Sequence, residues 1–151
     1  SPAGQELTRF GERGTGEGEF NFPTDIAVDG DGRFYVVDAL NSRVQIFDDT
    51  GRFFSAFGHP GDMPGSFSRP KGIAVNRHGQ VYVNDALMDT VQVFGADGQL
   101  KLVFGHNGAA PGQFWMPSGL FITPDDRIYV VDTYNQRIQV FQKIVKSEQG
   151  S

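Results

Sequence analysis

Every landmark in this chain returns after 47 residues, with no insertion or deletion. Pro23, Pro70 and Pro117 keep that interval. So do Asp38, Asp85 and Asp132, Tyr35, Tyr82 and Tyr129, and Gln45, Gln92 and Gln139. The pairs Phe10-Gly11, Phe57-Gly58 and Phe104-Gly105 follow it too, as do Phe20, Phe67 and Phe114. A period of this length marks a solenoid, a propeller or another array of supersecondary units, so the 151 residues count repeats rather than domains.

One repeat reads as four short strands. Residues 24–29, 33–38, 43–47 and 52–57 are rich in Val, Ile, Phe and Tyr, and Gly-Asp turns separate them. No segment sustains a helical period. Along 33–38, Val36 points to one face and Tyr35 and Val37 to the other, and both faces are apolar. A sheet that needs cover on both sides must stand between two similar sheets. Four-stranded antiparallel sheets stacked radially meet that need, so the fold class is all-β and the architecture a β-propeller.

The motif spelled from Phe10 to Asp29, then from Tyr35 to Phe47, resembles the NHL repeat. The resemblance covers roughly residues 4–141 and identifies the chain with the NHL-repeat β-propeller family. It implies a six-bladed ring of which this chain is one half, serving as a non-catalytic scaffold that binds a protein or peptide on one loop face. Alternatives from the same resemblance are a propeller enzyme similar to the amidating lyases, with a metal in the channel, and an RNA-binding domain. Bacterial members similar to this chain tend to be exported, which points to a periplasmic or extracellular protein.

The phase of the repeat places its seam. Repeats run over about 11–57, 58–104 and 105–141, and residues 142–151 read as a polar tail. Residues 4–10 align with 51–57 and read as a fourth strand without its blade, suited to completing the last one. Three blades cannot close a ring, because closed propellers have about four to eight. The expectation is self-association into a six-bladed homodimer, or a fragment of a longer ring. The start at Ser1-Pro2 rather than Met reads as a processed, trimmed, excerpted or engineered half-propeller.

Composition narrows the chemistry. There is no Cys, hence no disulfide, thiolate metal site or Cys nucleophile. The net charge of −5 disfavours a nucleic-acid partner. No apolar run is long enough to insert into a membrane. Gly14, Gly16 and Gly18 lack the strand-turn-helix context of a phosphate loop.

Antiparallel order puts the loops at 11–22, 58–69 and 105–116 on one face with those at 38–43, 85–90 and 132–137, where binding residues are expected. On that face Asp38, Asn41 and Arg43, echoed by Asp132, Asn135 and Arg137 and in part by Asp85, read as a structural motif that locks the loop. The middle repeat breaks it at Met88 and Thr90, and Leu87, Met88 and Asp89 make an apolar-acidic spot. Trp115, Met116 and Tyr134 form an aromatic-rich candidate contact. At the channel mouth, Asp25 and Lys71 read as an ion pair, a ligand clamp or neither. Glu12, His59 and His106 share one repeat position, but two His without a close third ligand do not make a zinc site, so neither metal nor cofactor is expected.

Overall fold

The computed structural model describes residues 3–143. Blade I contains β3 (Pro23–Val28), β4 (Phe34–Asp38), β5 (Arg43–Phe47) and β6 (Phe53–Phe57), following the short β1 (Glu12–Arg13) and β2 (Glu19–Phe20). Blade II contains β7 (Pro70–Val75), β8 (Val81–Asp85), β9 (Thr90–Phe94) and β10 (Leu100–Phe104). Blade III has β11 (Pro117–Ile122), β12 (Arg127–Asp132) and β13 (Arg137–Gln142). Each blade is an antiparallel meander in sequence order, as the repeat predicts. The third lacks a fourth strand among the described residues, and β13 extends to Gln142, one residue into the expected tail. The rest of that tail, from residue 144, lies outside the described residues.

Apolar side chains on both faces of each sheet account for the stacking. Val37, Val44 and Ile46 of blade I meet Ile73, Val81 and Val83 of blade II in one core cluster. Tyr82, Val91 and Val93 of blade II meet Ile128 and Val130 of blade III in a second. The innermost strands do not pair as a sheet, so side chains serve their backbones. Thr24 donates to the Lys71 carbonyl at 2.8 Å, and the Asp25 carboxylate accepts the Ile73 N–H at 2.9 Å.

An aromatic-glycine step carries the chain between blades. Phe57 rests on Phe94 with ring centroids 4.6 Å apart, and Gly58 then turns with φ 96° beneath the Phe67 ring. A Cβ at Gly58 would lie 2.5 Å from that ring, so only glycine fits. The loop that follows closes on itself. Residues Glu12–Arg13 run parallel to Glu19–Phe20, and the later repeats keep the same contact as single bridges, Pro60 with Phe67 and Asn107 with Phe114. The Glu19 carboxylate accepts the Gly16 N–H at 2.9 Å and sits among Gly14 and Gly16, so the glycine-rich stretch already encloses an anion of its own chain.

A buried carboxylate ties each loop to its blade. Asp38 accepts the Asn21 N–H at 2.7 Å, Arg43 Nε at 2.7 Å and Asn41 Nδ2 at 2.9 Å. Arg43 continues to the carbonyls of Gly16 and Glu19, and Gln45 also reaches that of Glu19. Asp132, Asn135, Arg137 and Gln139 repeat the arrangement in blade III. The structural motif read from the sequence is therefore a tie between two loops, and Gln45 and Gln139 belong to it as well. In blade II, Asp85 keeps the position without a guanidinium. Its carboxylate accepts the backbone N–H groups of Ser68, Arg69, Leu87 and Met88.

Two measurements test these ties. Asp38→Ala removes a buried anion and strands Arg43 and Asn41; the expected loss in a urea titration is about 3 kcal/mol, and a loss under 1 kcal/mol contradicts the tie. Burial works to raise the Asp132 carboxyl, but the Trp115 N–H, Arg137 and Asn135 outweigh it and hold it below the usual carboxylate range. Its contribution is then complete above the unfolded value of about 4 and is lost as pH falls through the folded value. Asp132→Asn should flatten the decline in stability below about pH 4 while lowering stability at neutral pH.

Candidate functional site

The loop face exposes one large apolar side chain at the same repeat position of every blade: Leu40, Leu87 and Tyr134, which are 57%, 55% and 54% exposed. Each occupies the short connection between the second and third strands, which the buried Asp holds from below. Phe22 flanks this set in blade I and Trp115 in blade III, both exposed. Trp115 and Tyr134 meet edge to face with ring centroids 5.2 Å apart, and the Tyr134 N–H donates to the Trp115 carbonyl at 3.1 Å. The Trp115 N–H is in turn held by Asp132 at 2.8 Å. Backbone bonds fix this aromatic pair while its rings remain open to solvent, so Trp115 is not packed between blades.

Leu40 and Phe22 join the set through their exposure, which residue type alone does not announce. The signal was available: Leu40 stands 47 residues before Leu87 and 94 before Tyr134. A leucine beside Asn41 and Arg43 is overshadowed by its polar neighbours when a repeat is read for chemistry.

The middle repeat contributes differently from expectation. Leu87 is exposed and Met88 half-buried, but Asp89 is buried and supplies no surface charge. Its carboxylate accepts the Met116 N–H at 2.7 Å and Asn107 Nδ2 at 2.9 Å, which joins blade II to the loop of blade III. Asp89 adopts φ 53°, a conformation Asp tolerates better than most side chains, and this turns its carboxylate towards the neighbouring blade. Met116 is correspondingly half-buried and held in place.

The channel-mouth pair does not form. Asp25 spends its two oxygens on the N–H groups of Ile26 and Ile73, and among the described residues no ion pair joins it to Lys71. Unpaired inner-strand amides lie nearer to the carboxylate than the lysine does, and they take it. Glu12, His59 and His106 also remain apart. All three are exposed, His106 meets the Gln113 amide at 3.0 Å, and among the described residues no group of three His, Cys, Asp or Glu could hold a metal ion.

The face also carries exposed charge of both signs, with Glu12, Glu17 and Asp62 beside Arg13 and Arg69. Asp38 and Asp132 are buried and committed to their ties. The arrangement is a row of exposed apolar side chains at one repeat position with a mixed polar surround.

Comparison with known proteins agrees with this architecture. The NHL repeat family matches residues 114–141, and a family described as a 6-bladed beta-propeller matches residues 30–101. The B-box type zinc finger protein ncl-1 of Caenorhabditis elegans is 49% identical over 45 residues, covering 30% of this chain and 5% of that protein. Human NHL repeat-containing protein 3 is 45% identical over 51 residues, covering 33% of this chain and 15% of that protein. The matches thus span a small part of these relatives. Among solved structures, Kuenenia stuttgartiensis hydrazine synthase superposes with a TM-score of 0.55 at 21% identity, over 78% of this chain and 34% of that one. Virginiamycin B lyase from Staphylococcus aureus gives 0.57 at 15% identity, over 82% and 42%. These two structures share the fold. With its blades in the expected order, the chain carries NHL-type repeats on a β-propeller fold.

Proposed function

We propose that the chain is a non-catalytic binding module whose loop face takes a protein or peptide partner. The observation that carries this reading is the row Leu40, Leu87 and Tyr134: three solvent-exposed apolar side chains at one repeat position, extended by Phe22 and Trp115. Scattered exposed leucines need no explanation, but a row on one face of a rigid scaffold marks an interaction site. Tyr and Trp suit such a role because they bring a large contact area with little rotamer entropy to lose. The mixed charge around the row favours a peptide over RNA, which would call for a basic surface.

A library of random dodecapeptides displayed on phage and selected on the immobilised chain tests this. The selected peptides should be rich in apolar and aromatic residues. Their affinity, measured calorimetrically, should fall at least tenfold for the triple variant Leu40→Ser/Leu87→Ser/Tyr134→Ser and for Trp115→Ala. The triple variant should unfold within about 1 kcal/mol of the parent, since exposed substitutions cost little. Undiminished affinity in both variants would place the binding surface elsewhere and end this reading.

A further inference from the structure

Across the described residues, positive charge is paired off except at the loop face. Arg9, Arg33, Arg52, Arg77, Lys101 and Arg127 each meet a carboxylate, and Arg43 and Arg137 are built into the ties. Lys143 rests on the Gln80 amide. Among the described residues, the cations whose side chains meet no acceptor are Arg13, Arg69 and Lys71. Arg13 shares its crossover loop with Glu12 and Glu17, whereas Arg69 and Lys71 stand together in blade II, outside ion-pair distance of any described carboxylate. Blade II has a neighbour on each side, so its part of the loop face is whole.

These two cations stand where the tie of blade II departs from the other two. Asp38 and Asp132 commit one oxygen to the preceding loop, through the N–H of Asn21 or Trp115, and the other to a guanidinium. Thr90 supplies no guanidinium, and Asp85 accepts the N–H of Arg69 at 3.0 Å as well as that of Ser68 at 2.7 Å. The repeat equivalents of Arg69 are Phe22 and Met116, which take φ 59° and 52°; Arg69 does not share that left-handed conformation. Its backbone is therefore set differently from both equivalents, and its side chain stands exposed.

The same carboxylate holds the apolar apex beside it. Asp85 accepts the Leu87 N–H at 3.0 Å, and the Ala86 N–H donates to the Arg69 carbonyl at 2.9 Å. Lys71 follows Arg69 by two residues across the buried Pro70, so both side chains leave one side of an extended backbone. In blade III, Ser118 is the equivalent of Lys71 and meets Thr133 at 2.7 Å, which by the repeat puts the base of Lys71 beside Ala86. Thr24 donates to the Lys71 carbonyl at 2.8 Å, so this cation rises from an anchored strand. Two cations thus border Leu87 at the middle of the apolar row. Asp89 brings no counter-charge, because it is buried and bonded to the loop of blade III.

Resting on the peptide-binding reading above, we infer that the partner segment carries an Asp or Glu next to an apolar anchor. The anchor lies on Leu87, and the carboxylate is held by Arg69 and Lys71. The planar guanidinium can grip both carboxylate oxygens, and the ammonium adds a point charge beside it. With a net charge of −5 the chain does not draw an acidic segment from a distance, so recognition is by contact and falls on the one residue that reaches this pair. A polyanion such as RNA would lay further phosphates among the exposed carboxylates of Glu12, Glu17 and Asp62, whereas a single carboxylate meets the cation pair alone.

The dodecapeptides selected on the immobilised chain supply the probes. They should carry Asp or Glu beside an aromatic or aliphatic residue. The tightest of them, remade with Asn or Gln in place of its acid, should lose about tenfold in affinity by calorimetry. Against Arg69→Gln/Lys71→Gln, the acidic peptide and its amide analogue should bind alike. Arg69→Glu/Lys71→Glu should reverse the preference in favour of an analogue with Lys in place of the acid, a gain that loss of folding does not produce. Selected peptides without acidic residues, equal binding of acid and amide by the parent chain, or a preference for acid that survives both variants would each overturn the inference. Tighter binding of a short oligouridylate than of the acidic peptide, through the same two cations, would overturn it as well. Peptides that need Leu40, Leu87 and Tyr134 but show no acidic preference leave the binding-module reading standing, whereas a selection that returns no peptide ends both.

Discussion

A carboxylate with no access to solvent organises each blade. Asp38, Asp85 and Asp132 each reach back 17 residues to the N–H of Asn21, Ser68 or Trp115, and so join the connection between the second and third strands to the crossover from the preceding blade. Two loops that would otherwise lose conformational entropy separately are ordered by one group. The anion is tolerated in the interior because donors converge on it from several directions. In two blades those donors include a guanidinium. In blade II backbone amides do the work alone. The fold therefore requires the carboxylate at this position and leaves the neighbouring cation open to change, which explains how Thr90 can replace Arg without loss of the blade.

Most of the scaffold is legible in the sequence because a strict period converts one strand assignment into three. Strand order, the face that carries the loops and the structural reading of the Asp, Asn and Arg set all follow from spacing. The parts that escape are matters of direction. Asp89 looks like surface charge beside Leu87 and Met88, yet its positive φ turns it onto the next blade. Asp25 invites pairing with Lys71, yet the unpaired amide of Ile73 is closer. Leu40 passes unnoticed because exposure, not identity, makes it matter. A sequence states which groups are present at a repeat position; which backbone donor competes for them depends on how far neighbouring blades splay.

The repeat also separates residues that cannot vary from those that can. Gly58 lies so close beneath the Phe67 ring that no larger residue fits there, and Phe67 and Phe57 both pack on Phe94. The apex of the short loop, by contrast, accepts Leu40, Leu87 or Tyr134 above an unchanged framework. Stability and surface chemistry are thus held by different atoms, and a change at an apex leaves the ties beneath it intact.

The apex positions have one geometric consequence for whatever they touch. Their separation is set by the angular step from blade to blade, because each apex is anchored to its own sheet and the sheets are locked by side-chain packing. A helix offers contacts every three or four residues and a strand every two. A segment that engages successive blades must instead place its anchors at the pitch of the blades, and this excludes many sequences of suitable composition. On the proposed reading the array acts as a ruler, discriminating partners by distance as well as by chemistry.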